Sequence, residues 1–251
     1  MKSAAKQLIS EGWARIDNLI GPTTIDRTFE YFQQHYLHPD LGTDAEDLDA
    51  FEFPCSNVGD RRYMMAIGFR GAFANPDIFG NPLVVQTLRE TLGPDFFLES
   101  FGAVLSLPGS DAQHLHRDGG GGLFGVDLDS LLPAHAVTVV IPLVDMNAEH
   151  GTTRIWPGTH RTRGDFDAME NIDKSVTPDV PRGSCVMWDY RLFHHGNPNR
   201  SQTPRPILYM TYARPWFSDR SNWGDKVGLF ADDAFLATVP EDLKFLFRYC
   251  R

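Results

Sequence analysis

A chain of 251 residues with 42% hydrophobic and 22% charged side chains can bury a substantial core, and its composition is that of an ordinary soluble globular protein. With 33 acidic against 23 basic residues, a formal charge of −10, it is poorly suited to nucleic acid or an anionic membrane surface, so an anionic ligand needs a local positive group. No apolar run approaches a bilayer-spanning length, no signal-peptide core opens the chain, and the scattered Cys55, Cys185 and Cys250 predict a reducing, cytoplasmic setting without a disulfide framework.

In chain order, the first strong pattern is "PTTIDRTFEYFQQHYLH", where Ile25, Phe29, Phe32 and Tyr36 recur at helical spacing and Thr23 with Asp26 resembles a capping box. A second helix is expected at "NPLVVQTLRETLG": Asn81 caps, Pro82 takes the first helical position, Val84, Leu88 and Leu92 form the stripe, and Gly93 ends it. The pattern then changes to short β-rich runs broken by Gly, Pro, Asn and Asp: "FFLESFGAVLSL", "AHAVTVVIPLV", "TTRIW", "GSCVMWDYRLF" and "ILYMTYARPW". The tail "PEDLKFLFRYC" returns to a helix, and the adjacent Asp232 and Asp233 read as a helix start on a solvated surface. The expectation is a single, mainly β domain: helical support over about 1–95, a jelly-roll or double-stranded barrel over about 96–216, and a C-terminal helix over about 239–250.

The chemistry concentrates in "QHLHRDGGGG". Strand alternation would put His114, His116 and Asp118 on one face and Gln113, Leu115 and Arg117 on the other. A His-x-Asp pair offers one imidazole nitrogen and one carboxylate oxygen, two of the three protein ligands of a 2-His-1-carboxylate iron site. Taken alone it is at least as often a hydrogen-bonded surface pair. Further on, "WDYRLFHHGNPNRSQTPRP" ends a β-rich run in His194 and His195, either of which can complete the set if the strands are barrel neighbours. Eleven residues after His194, Arg205 sits between Pro204 and Pro206 at the start of the last long run, where it can clamp a carboxylate through two parallel hydrogen bonds, although without the histidines it would read as a solvated surface arginine.

Together "LHRD", "GTTRIWPGTHR", "FHHGNPN" and the arginine beyond them resemble the phytanoyl-CoA dioxygenase family of Fe(II)- and 2-oxoglutarate-dependent oxygenases, from "EGWARIDNLIG" to "ARPWF". The resemblance implies a cupin-like double-stranded β-helix in which His116, Asp118 and His194 hold iron and Arg205 binds the distal carboxylate of 2-oxoglutarate. His194 is preferred over His195 because the family places an Asn five residues after the ligand, here Asn199. Gln113 and Thr153 are implied as weaker contacts to the co-substrate. Three protein ligands leave three positions for the keto acid and O2. The implied activity is oxidation of a small molecule in secondary metabolism, with release of succinate and CO2. Asp118 favours hydroxylation, desaturation or ring chemistry over halogenation, which in related enzymes needs a small residue there. The alternatives are a metal-binding member without turnover and a β-barrel hydrolase using another metal such as zinc, which would have no need of Arg205.

The four glycines after Asp118 read either as a plain loop or as a bare rim that lets substrate or a lid approach the metal. His114 is a pocket contact or a structural histidine, and Trp216 and Trp223 either wall the cleft or close a core. Segments 40–75, 119–134 and 160–175 are the expected lid.

Overall fold

The computed structural model of the chain describes residues 3–119, 123–162, 174–219, 222 and 228–250. Helix α1 (Ala4–Glu11) starts at Ser3, whose hydroxyl accepts the Lys6 N–H, and stops at left-handed Gly12. The chain then enters strand β1 (Trp13–Ile16) and helix α2 (Pro22–His35). The Thr23/Asp26 capping box does not form. The N-cap is Gly21 with Pro22 in the first turn, because the proline fixes the helical start two residues earlier, and Asp26 pairs instead with Arg182 at 2.5 Å. Strands β2 (Cys55–Gly59) and β3 (Arg62–Ala66) form a tight hairpin, its turn held by Arg61 at φ 49°. The short helix α3 (Pro76–Phe79) follows. Helix α4 (Pro82–Leu92) matches expectation: Asn81 accepts the Leu83 N–H, and Val84, Leu88 and Leu92 are buried.

The remaining strands are β4 (Phe97–Ser106), β5 (Ala136–Pro142), β6 (Thr153–Ile155), β7 (Cys185–Asp189), β8 (His194–Gly196) and β9 (Arg205–Ala213), with a helical turn α5 (Val126–Asp129) between β4 and β5. Seven strands form one antiparallel sheet in the order β1-β7-β5-β9-β4-β3-β2, and β6 pairs with β8 in a small second sheet. This is the double-stranded β-helix, mainly β with helices outside. Three strands of its large sheet come from the first 66 residues, where sequence patterning suggests only helix and loop.

The largest core cluster joins the outer face of the large sheet to the helices, through Phe32, Phe73, Phe79, Leu88, Phe101, Met187, Met210 and Tyr212. Leu243, Leu246 and Phe247 of the tail join it, although the tail is a 3-10 helix (Glu241–Phe247) rather than an α-helix. It is preceded by helix α6 (Asp233–Thr238), which Asp232 caps by accepting the Phe235 N–H. Burying several large aromatic and aliphatic side chains, at about 1.5–3 kcal/mol each, fixes the sheet as a rigid base. Its other face is free to build a site.

Candidate active site

On β9, side chains alternate between faces, so Arg205, Ile207, Tyr209 and Thr211 all line a cavity of about 700 Å³ under the small sheet. That volume is typical of small-molecule sites. From the hairpin come Val58, Gly59, Arg62 and Met64, from β4 Val104, from β5 Thr138 and Val140, and from β7 Trp188. The segment 112–118 is extended but does not form a ladder: only His116 bridges, to His194 of β8. Strict alternation therefore fails there. Gln113 and Arg117 line the cavity with His114, His116 and Asp118, and Gln113 Oε1 accepts the Gly196 N–H at 3.0 Å.

The ligand-type atoms of His116, Asp118 and His194 lie within 4.8 Å of one another. His194 Nε2 is 3.3 Å and His116 Nε2 4.0 Å from Asp118 Oδ1. Each imidazole is oriented from behind: His116 Nδ1 is 2.8 Å from the His114 carbonyl oxygen and His194 Nδ1 is 3.0 Å from that of Leu192. A carbonyl can only accept, so both Nδ1 atoms carry the proton and both Nε2 lone pairs face the cluster. Asp118 is split in the same way. Its Oδ2 accepts from Thr138 Oγ1 at 2.6 Å and Trp188 Nε1 at 2.9 Å, which leaves Oδ1 turned to the two histidines. Outer hydrogen bonds that fix tautomer and orientation are the support that metal ligands require. Among the described residues, this donor set fits a divalent transition metal.

Burial, with a contribution from His194, pushes His116 down to about 4, so it is neutral at pH 7. For Asp118, burial opposes ionisation, but His194 and the hydrogen bonds override it and hold the carboxyl well below its usual range. Burial also works to lower His194, yet the carboxylate beside it raises it overall. His195 points elsewhere: its ring lies 5.5 Å from Trp156, and its Nδ1 is 3.2 Å from the Gly196 carbonyl.

Beside this cluster two guanidinium groups are buried, Arg205 at 1% exposure and Arg62 at 0%. Arg205 donates to the Gly151 carbonyl and to Ser106 Oγ, and Arg62 Nη2 donates to the carbonyls of Asp111 and Asn197 at 2.8 and 3.1 Å. Arg205 Nε, Arg62 Nε and Arg62 Nη1 have no hydrogen-bond partner among the described residues. Burial pushes Arg62 down to about 10, and burial together with Arg62 pushes Arg205 down to about 9, so both remain charged at pH 7. Two buried positive charges with unsatisfied donors and, among the described residues, no ion-pair partner form a cradle for an anion. Gly196 makes room for it, since a Cβ there would fall 2.7 Å from both Arg62 Nη1 and Gln113 Oε1. Asn199 is wholly buried and ties the β8–β9 loop to β4, with Nδ2 donating to Ser106 and Thr203 carbonyls at 3.0 and 2.9 Å.

A model of the phytanoyl-CoA dioxygenase family matches residues 10–207. The chain belongs to that family. As a member it is a non-haem Fe(II)- and 2-oxoglutarate-dependent oxygenase, with those two and O2 as its cofactor and co-substrates. Dioxygenase trt7 of Aspergillus terreus is 25% identical over 228 residues, covering 88% of this chain and 76% of that protein. The iron/alpha-ketoglutarate-dependent dioxygenase ausO of Aspergillus calidoustus is 27% identical over 221 residues, covering 82% and 70%. Among solved structures, HygX from Streptomyces hygroscopicus, with nickel, 2-oxoglutarate and hygromycin B bound, superposes with a TM-score of 0.67 at 13% identity, covering 89% of this chain and 90% of that one. Likeness at that identity speaks for the fold.

Of the residues singled out in the sequence, the structure brings His116, Asp118, His194, Arg205, Thr153, Gln113 and His114 to one cavity. Trp216 is not among its lining residues: it is 54% exposed and packs beside His135, 5.9 Å away. Trp223 lies outside the described residues, as do Gly120–Gly122 and most of 160–175. Within 40–75, the wall is the β2–β3 hairpin. Sequence patterning misses Arg62, Thr138, Trp188 and Tyr209. The signal for Arg62 is "VGDR", a hairpin turn between alternating residues, but Arg61 and Arg62 are adjacent and only the pairing register tells which points inward.

Proposed function

We propose that iron is held by His116 Nε2, His194 Nε2 and Asp118 Oδ1, and that 2-oxoglutarate lies with its distal carboxylate against Arg205 and Arg62, flanked by Gln113 and Thr153. The observation that carries this reading is the pairing of free, oriented ligand atoms with unsatisfied buried guanidinium donors in one cavity. Iron with bound 2-oxoglutarate supplies the oxidising chemistry, releasing succinate and CO2. The chain's own residues hold and orient the partners: Thr138 and Trp188 keep Oδ2 of Asp118 occupied so that Oδ1 is the ligand, and Ser106 and Gly151 keep the Arg205 fork in place. The substrate is a small molecule held over the metal by the apolar walls Met64, Val104, Val140 and Ile207, in secondary metabolism.

The test is an anaerobic titration of Fe(II)-loaded protein with 2-oxoglutarate, watching for the visible charge-transfer band of a chelated keto acid. The band is expected in the wild type and in His195→Ala, and absent in His194→Ala. Bound iron without a band in the wild type would sink the oxygenase assignment and favour another metal.

A further inference from the structure

One buried polar group of the cavity is left over by the proposed holding of iron and 2-oxoglutarate. Tyr209 is 9% exposed and lines the cavity, and its hydroxyl has no hydrogen-bond partner among the described residues. A phenol so buried ordinarily finds one, since leaving its O–H unmet is unfavourable. Its location is built in. The hydroxyl lies over Gly102 of β4, where a Cβ would fall 2.8 Å from it and 2.3 Å from the Met65 carbonyl. Gly102 thus opens the floor on which the ring rests.

Tyr209 is also set apart from Arg205 along the strand. It is four residues beyond Arg205 on the same face of β9, roughly 13 Å of strand, more than a five-carbon diacid spans. Burial chiefly, with the carboxylates of Asp219 and then Asp118 adding to it, pushes the phenol well above its ordinary range. A carboxylate of the co-substrate is therefore disfavoured there. Asp219 is itself spoken for: it accepts from Tyr190 at 2.5 Å and from Asn222, which also donates 3.4 Å to the Asp118 carbonyl. Around the phenol the walls are Met64, Val104, Val140 and Ile207. What this end offers is one O–H in an apolar, mildly negative surrounding.

The geometry points to Tyr209 as the residue that orients the substrate, and to a substrate that is uncharged and largely apolar and presents a carbonyl or ether-type oxygen to the Tyr209 hydroxyl. This rests on the oxygenase assignment, since it needs 2-oxoglutarate to fill the arginine end. A neutral acceptor satisfies the phenol without the repulsion that an anion meets from Asp219. Anchoring one oxygen on the rigid floor of the sheet also fixes which C–H bond faces the metal.

The experiment uses ligands that share one skeleton: camphor, the hydrocarbon bornane and camphorcarboxylate. Each is titrated without oxygen into the Fe(II)- and 2-oxoglutarate-loaded full chain, wild type and Tyr209→Phe, with binding read calorimetrically. Camphor is expected to bind the wild type more tightly than bornane or the carboxylate do, and to weaken roughly three- to tenfold in Tyr209→Phe, the range of one neutral hydrogen bond. Bornane should bind both proteins alike, and the charge-transfer band should be unchanged in the variant. The proposal is overturned if camphor is not preferred over bornane in the wild type, if Tyr209→Phe binds camphor equally well, if the carboxylate binds best, or if the variant loses the band, which would put Tyr209 at the co-substrate. A wild type that itself lacks the band is a failure of the oxygenase assignment and is seen before any camphor is added.

Discussion

Arg191 and Arg205 are both buried arginines of the same barrel, and they differ in what their donors meet. Arg191 makes a two-pronged pair with Asp189, Nε to Oδ1 at 2.8 Å and Nη2 to Oδ2 at 2.7 Å, and spends Nη1 on the carbonyls of Asp129 and Leu132 at 2.6 and 2.8 Å. Its charge is matched within the fold. Among the described residues Arg205 pairs with no carboxylate and keeps Nε without a hydrogen-bond partner, and it lies near a second such guanidinium in Arg62. A buried ion pair that is complete stabilises the loop it reaches, whereas a buried charge that is incomplete costs stability until a ligand completes it. The difference supports the proposal that Arg191 serves the fold and Arg205 binds a ligand, without reference to sequence motifs.

The largest test of this contrast is Asp189→Ala. Removing the carboxylate strands Arg191 as an uncompensated buried charge, so a loss of roughly 3–5 kcal/mol in unfolding free energy is expected by denaturant titration. The 2-oxoglutarate band should survive at temperatures where the variant is folded. A loss under about 1 kcal/mol would break the contrast, because Arg191 would then be no more dependent on its partner than a surface arginine.

The next test sharpens the structural side through pH. His135 sits buried near Asp189, Arg191 and Asp129, and burial chiefly pushes it down to about 4. Between pH 4 and 6.5 the unfolded chain therefore binds a proton that the folded chain refuses, and stability rises with pH across that window. The rise attributable to His135 is on the order of 3 kcal/mol, because each tenfold change in proton affinity is worth about 1.4 kcal/mol. In metal-free protein, His135→Phe should flatten the stability curve by that difference while leaving the region above pH 7 little changed. Parallel curves for the two proteins would remove His135 as a source of acid sensitivity.

How much of this was legible in the sequence follows from the range of the forces involved. The His-x-Asp spacing, the distal His194 and the arginine eleven residues beyond it are local patterns set by ligand chemistry, and the structure gathers all four around one cavity. Helix α4 was legible because Asn81, Pro82 and Gly93 act within a single turn. Strand β1 was not: "WARI" is four residues long, and only its pairing with β7, some 170 residues away, makes it a strand. Arg62 and Tyr209 stayed hidden for the same reason. Which of Arg61 and Arg62 points inward, and which tyrosine of β9 meets a glycine across the sheet, are decided by register with β4. The four-glycine run is answered in part, since Gly119 lets the Tyr190 ring approach, a Cβ there falling 3.2 Å from its Cδ1.

The smallest effect tests the binding side, with stability and affinity expected to move apart. Arg205→Met removes a buried charge and keeps a flexible apolar chain in place of the arginine's aliphatic stem, so the metal- and ligand-free protein should be as stable as the wild type or slightly more so. Its affinity for 2-oxoglutarate should fall roughly 10- to 100-fold, the range of hydrogen bonds to a charged group. Arg62→Met should fall less, because Arg62 leans on the Asp111 and Asn197 carbonyls and offers the anion only its remaining donors. Thermal shift with and without 2-oxoglutarate on the iron-loaded protein reads both quantities at once, since a ligand stabilises the native state in proportion to the logarithm of its concentration over Kd. The wild type should gain melting temperature on adding 2-oxoglutarate, and Arg205→Met should start no lower and gain little. If instead Arg205→Met starts several degrees lower, its guanidinium was holding Gly151 and Ser106 together as Arg191 holds its loop, and the two arginines would be alike after all.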